Sequence, residues 1–204
     1  VLSSLENSAF GIQAASDKYD VQVNNSGDID ANAYSGSLGI FAQTPFGDVS
    51  VTNSGAINAT SADSNAIGIY ARSYLGSVSV SSSGDLTVAA DTGSAVGVGA
   101  QAQKYGTVTI SNSGAITVSG YDDVYGIEAV SNYGDINITN GTKAITATSD
   151  TDDAFGINAE SYTGNVAITS NGAITANGYN AYGIRAVTSS SYDAYTYTST
   201  AGDV

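Results

Sequence analysis

The chain has 204 residues, 42% hydrophobic and only 12% charged, with five Lys and Arg against nineteen Asp and Glu for a net charge of −14. The apolar share excludes disorder throughout, and an acidic surface repels phosphate backbones, which excludes nucleic acid and weighs against anionic bilayers. With no Cys and no His, disulfides, zinc-thiolate sites and the usual acyl-transfer triads are excluded too.

A tetrapeptide G-[IV]-x-A begins at Gly11, Gly39, Gly68, Gly97, Gly126, Gly156 and Gly183, at intervals of 28, 29, 29, 29, 30 and 27 residues. A fixed period of this size is the mark of a repeat architecture. Each unit opens with a short segment of the form apolar-Gly-Ile-x-Ala, as in Phe155 to Ala159. Period-two alternation predicts a half-buried strand there. Its inward face is expected to carry Phe10, Ile12 and Ala14, then Leu38, Ile40 and Ala42, and so on to Tyr182, Ile184 and Ala186. Gln13, Phe41, Tyr70, Gly99, Glu128, Asn158 and Arg185 share no chemistry and are assigned outward. Ile127 is thus expected inside and Glu128 outside.

A turn glycine and a second strand follow, with Val49/Val51, Val108/Ile110 and Ile136/Ile138 inward. An Asn-Ser-Gly turn comes next. Asn25, Asn53, Asn112 and Asn140 fall in one column, with Ser82 and Ser170 substituting, so stacked amides are expected to bond from unit to unit. The glycine after them is expected at positive φ. The third strand carries Ile57/Ala59, Ile116/Val118 and Ile174/Ala176, and a loop of Asp, Ser, Asn, Gly and Tyr returns to the next unit.

No unit has a helical period, and no two-residue hairpin joins the strands. Equivalent strands one unit apart can pair only in parallel, by coiling. The predicted fold is an all-β parallel β-solenoid (a right-handed β-helix) of about seven coils of about 29 residues, three short strands each. At ~4.8 Å per coil the rod is roughly 30–35 Å long. Residues 1–204 form a single solenoid segment. Residues 188–201 read as a surface loop inserted in the last coil, after which Gly202-Asp203-Val204 repeats the opening of the second strand at Gly47 to Val49. The missing initiator Met and polar caps lead to the expectation of a segment cut from a longer chain at both ends.

Repeats such as Ala66 to Val88, A-I-G-I-Y-A-R-S-Y-L-G-S-V-S-V-S-S-S-G-D-L-T-V, resemble those of autotransporter passenger proteins of Gram-negative bacteria. The resemblance covers nearly all of Phe10 to Val187. It implies a right-handed β-helix, exported through the outer membrane by a C-terminal barrel and displayed outside the cell. A chain without Cys suits that passage.

Three kinds of side chain are candidates for function. Asp122, Asp123, Asp150, Asp152 and Asp153 collect in return loops of adjacent coils, where carboxylates could hold calcium. Their spacing matches neither an EF-hand nor the glycine-rich nonapeptide calcium repeat. Of the fourteen Tyr, Tyr74, Tyr105, Tyr133 and Tyr162 recur with Phe46 at the turn between the first and second strands, and Tyr121 and Tyr179 recur with Tyr34 in the return loop. Such rings suit sugar or protein contact, or pack ring on ring at the corners. Thr87, Thr117, Thr146 and Thr175 form a hydroxyl column, the ordinary choice for a sheet surface.

Paired carboxylates for glycoside hydrolysis are not visible on the outward positions of the second and third strands, so no catalysis is expected. The expectation is a non-catalytic stalk or adhesive segment on the bacterial surface, with no cofactor beyond candidate calcium. Its partners would be a glycan or protein on a host or neighbouring cell, or another copy end to end. A polysaccharide-binding or polysaccharide-cleaving β-helix whose site lies largely outside this segment is the alternative, as is a filament subunit.

Overall fold

A computed structural model describes the backbone of residues 2–4, 8–189 and 199–201, and the side chains of residues 8–189. Every strand pair in it is parallel, and the strands form three sheets of seven. The first sheet stacks Ala9–Ala15, Ser37–Thr44, Ala66–Ser73, Ala95–Ala102, Val124–Ser131, Ala154–Ser161 and Ala181–Thr188. The second runs from Val21–Asn25 to Ser199–Ala201, and the third from Leu2–Ser4 to Ile174–Asn177. The chain visits the sheets in turn and advances one coil per circuit: this is the parallel β-solenoid that the repeat implies.

Of the loop expected at 188–201, Thr188 is instead the last residue of a first-sheet strand and Ser199–Ala201 are themselves a strand, while residues 190–198 lie outside the described residues. Ser199–Ala201 pairs with Ile168–Ser170 as the seventh rung of the second sheet, and Gly202 to Val204 lie outside the description.

Register is kept from coil to coil. Ile40 sits on Ile69, Val108 on Ile136, and Ile116 on Ile145. Ile57, Ile69, Ile116, Ile127 and Ile157 are fully buried, each contributing roughly 1.5–3 kcal/mol by leaving water. The inward columns of the second and third strands are as expected, and Ile127 lies inside.

The first strand differs from expectation at one position. The apolar residue before each repeat glycine points outward: Leu38 and Ile67 are half-buried, and Phe10 and Tyr182 are exposed. The cause is a one-residue step at the glycine. Gly39 and Ile40 both face the interior, and the pairing passes from Leu38–Ile67 to Ile40–Ile69. A Cβ built on Gly39 would fall under 3.0 Å from Ile57 Cγ2 and from the Gly68 carbonyl oxygen. Gly11, Gly126 and Gly156 meet Ile29, Ile145 and Ile174 in the same way. The third-strand isoleucine occupies the space of the absent side chain, which turns the preceding residue out. There the exposed rings cover one another: Tyr125, Phe155 and Tyr182 stack at 4.9 Å with planes 3° and 6° apart. Phe155, between the other two, is only 8% exposed.

The asparagine ladder is present and buried. Asn25 Nδ2 donates to Asn53 Oδ1 at 2.7 Å, and Asn112 Nδ2 to Asn140 Oδ1 at 2.8 Å. Asn140 Nδ2 also donates to Ser170 Oγ at 3.1 Å. The same Nδ2 atoms close their own turns, as in Asn53 to the Gly55 carbonyl at 2.8 Å. The glycine of this turn, however, is not at positive φ; among the described residues only Gly36 is, at 139°. Gly55, Gly84 and Gly114 are required because the coils approach too closely: a Cβ on each would press under 3.0 Å against the carbonyl oxygen of the glycine one coil below.

The ladder has one weak rung. Ser82 lies in register between Asn53 and Asn112, receives Asn53 Nδ2 at 3.4 Å, and leaves buried Asn112 Oδ1 without a partner. Replacing Ser82 with Asn supplies the missing donor and shortens the reach. The expected gain is about 1 kcal/mol, the worth of one buried hydrogen bond. A rise in Tm for S82N in a thermal melt checks this, and a fall would show that the rung lacks room for an amide.

Candidate functional site

The outward surface has three features, each positioned by a column of the repeat. The first is the edge between the first and second sheets. Ser73, Ser131 and Ser161 end their strands pointing inward, and each hydroxyl receives a turn amide, such as Gly134 N to Ser131 Oγ at 2.9 Å. Each also donates to the carbonyl of a turn glycine one coil below, as Ser73 does to Gly47 at 2.7 Å. This serine column, which repeats as plainly as the asparagines, is absent from the sequence reading. It pins the turn and projects the following aromatic residue outward. Phe46, Tyr74, Tyr105, Tyr133 and Tyr162 all stand 46–67% exposed along this edge. Tyr105 stacks on Tyr133 at 5.7 Å, and Tyr133 meets Tyr162 edge-on at 6.3 Å. The rings support one another and still present about half their surface.

Tyr34, Tyr121 and Tyr179 in the return loops are exposed, and among the described residues no ring pair joins them. The acidic residues of these loops divide. Asp123, Asp152 and Asp153 bring carboxylate oxygens within 4.8 Å of one another, whereas Asp122 and Asp150 stand outside that group. Burial, followed by the Asp152 carboxylate, holds Asp123 above the usual carboxylate range. Asn180 Nδ2 donates to Asp153 Oδ1 at 2.7 Å. Bound through one oxygen each, three carboxylates supply at most half of the six to eight oxygens that calcium takes.

Other acids are structural. Asp28, Asp48, Asp85 and Asp135 each accept the backbone N–H of a residue one coil above, at 2.7–2.9 Å. Part of the negative charge therefore ties coils together.

The third feature is the outer face of the first sheet, whose chemistry is not uniform but is ordered. Phe41 stacks on Tyr70 at 6.0 Å and 3°, and the Tyr70 ring lies over Gly99, where a Cβ would meet Cδ2 under 3.0 Å away. Glu128 follows in the same column, between Gly99 and Asn158. Arg185 Nη1 donates to Asn158 Oδ1 at 2.9 Å and pairs with Glu160. Burial first, then Glu160 and Asp123, raise the Glu128 pKa above 4.5. Tyr125 is pushed up to about 12, by burial and then by Asp123 and Glu128. Glu128 is legible in the sequence as an outward residue, whereas Glu160 comes near it only through the stacking of coils.

A carboxylate whose folded pKa is raised favours the fold when protonated. That stability is complete below the unfolded value and is lost as pH rises through the folded value. Glu128→Gln is therefore expected to raise Tm at pH 7, by removing a desolvated charge beside Glu160. It should also flatten the fall in Tm on going from about pH 4.3, the ordinary Glu value, towards neutral. Thermal melts of both proteins across this range check it, and an unchanged slope would remove Glu128 as its source.

No family model matches this chain, and no curated protein or solved structure matches it either.

Proposed function

We propose that this chain is a non-catalytic stalk or adhesive segment of a bacterial surface protein of the autotransporter passenger type, standing outside the cell. One observation carries the reading: most side-chain hydrogen bonds of the repeat run from coil to coil. The asparagine and serine columns and the capping aspartates all serve the stack. The outward positions of the second and third strands are left small and polar, from Gln22 and Ser50 to Thr117 and Thr175. A surface of that kind lacks the large desolvated anchors on which tight recognition depends. It suits a spacer whose contacts, where it has them, run along the aromatic edge.

The test is a double replacement of Tyr105 and Tyr133 by Ala, with the parent protein displayed on cells. Pure stalk duty predicts a lower Tm, from losing a stacked pair worth roughly 0.5–1.5 kcal/mol beyond its buried area, and unchanged attachment to glycan or cell surfaces. Lost attachment at unchanged Tm would make this edge an adhesive surface instead.

A second reading, polysaccharide cleavage, is favoured by Glu128 and Glu160 on one face. Glu128 has a pKa raised by burial, and Glu160 pairs with Arg185, so two carboxyls sit in unlike environments, as the acid and the base of glycoside hydrolysis do. Release of reducing ends from polysaccharides by the parent chain, lost in Glu128→Gln, would establish it in place of the stalk.

A further inference from the structure

The chain has five cationic side chains, and two of them stand at one recess. The recess lies beside the aromatic edge, between the ends of three first-sheet strands, and is lined by Gln43, Pro45, Arg72, Tyr74 and Gln103. Lys104, next to Gln103, places Nζ 5.7 Å from the Tyr74 ring centre and 5.5 Å from that of Tyr105. Arg72 is exposed, and its Nε donates to Gln43 Oε1 at 3.0 Å, which orients the guanidinium. Among the described residues no carboxylate pairs with Arg72 or Lys104. The acids of the neighbouring turn are engaged elsewhere: Asp20 Oδ1 accepts Asp48 N at 2.9 Å, and Asp48 Oδ1 accepts Ser77 N at 2.8 Å.

We propose that this recess binds a carboxylate-bearing sugar, such as a uronic acid residue of an acidic glycan. The guanidinium offers a planar fork of donors that matches a carboxylate. Lys104 adds a second positive charge a few ångströms away. Tyr74, about half-exposed, presents an apolar surface for the C–H face of a sugar ring, and the amides of Gln43 and Gln103 flank it for hydroxyl groups. Gln103 Nε2 is tied to Gln101 Oε1 at 3.2 Å, which leaves its amide oxygen as an acceptor. The overall charge of −14 does not forbid an anion here, because charges farther than about 8 Å are largely screened at physiological salt. A neutral sugar would leave the guanidinium without a charged partner, and an acidic peptide would make no use of the ring and the two amides together.

The proposal adds a ligand to the surface reading and does not depend on the aromatic edge being adhesive at Tyr105 and Tyr133. Titration calorimetry on the purified chain tests it with trigalacturonate, a neutral galactose trisaccharide and hexaglutamate. Trigalacturonate is expected to bind, more weakly as salt rises, with the neutral trisaccharide and hexaglutamate at least tenfold weaker. Arg72→Gln is expected to weaken trigalacturonate by about tenfold or more, the worth of a charge-assisted pair. Tyr74→Ala should weaken it also, with Tm unchanged for the arginine variant. No trigalacturonate binding at millimolar concentration, or equal binding by Arg72→Gln, would overturn the site. Hexaglutamate bound as tightly would overturn the sugar assignment in favour of a peptide carboxylate. Each of these failures leaves the stalk reading standing, since that reading is judged by attachment of the Tyr105 and Tyr133 double variant.

Discussion

Ile127→Asp is expected to abolish the cooperative fold, while Glu128→Ala, one residue on, retains it. Ile127 is fully buried and lies in register between Val98 and Ile157. A carboxylate in that column has no cationic or hydrogen-bonding neighbour, since the groups around it are aliphatic. Burying it unpaired costs several kcal/mol, whether as a desolvated charge or as an acid forced to hold its proton. The native isoleucine contacts are lost as well, adding roughly 2–5 kcal/mol. In a solenoid, stability is close to a sum over coils and the interfaces between neighbours, so a failure at the middle coil removes two interfaces together. Glu128 faces outward, and its removal deletes a desolvated charge. Far-UV circular dichroism and thermal melts of the two variants decide the matter. A folded Ile127→Asp with the melting curve of Glu128→Ala would mean that the inward register of the first strand is wrong.

The second large effect is expected at the stacked turn glycines. Gly84→Ala places a Cβ under 3.0 Å from the Gly55 carbonyl oxygen, with backbone atoms and no flexible side chain in the way. Two coils must separate there, which strains the ladder bonds on both sides. We expect a loss of about 3 kcal/mol or more, the range of an overpacked core site. Because the cause is contact and not φ, Gly84→Asn should do no better than alanine, although Asn is the side chain that best tolerates a left-handed backbone. Gly141→Ala is the control. Its nearest neighbour, the Asn112 carbonyl oxygen, would be 3.4 Å from the new Cβ, an ordinary contact. Its Tm is expected to stay within a few degrees of the parent. Rescue of position 84 by Asn relative to Ala would restore the dihedral explanation.

The sequence by itself determined the coil. A period of about 29 residues, three alternating segments per period and the absence of any hairpin turn permit only parallel strands one period apart, and the asparagine column could be read as a ladder because identical residues at one spacing must stack. The inward columns of the second and third strands were legible for the same reason, since period-two alternation is a property of the strand alone. The tertiary structure decided the rest. Whether Phe155 or Tyr182 points in or out depends on the step at the repeat glycine, and that step exists because Ile174 of another strand fills the space beside Gly156. The role of Gly84 depends on how closely two coils approach, a distance that no local pattern encodes. Asp123 was separable from Asp122 only once the loops were folded, because it is the stacking of two return loops that sets Asp123 beside Asp152 and Asp153. The recess around Arg72 joins residues about 30 positions apart, Gln43, Tyr74 and Gln103, whose nearness follows from the period. Their shared opening, with no acid paired to Arg72 among the described residues, follows from where side chains turn, and that is settled by packing between coils.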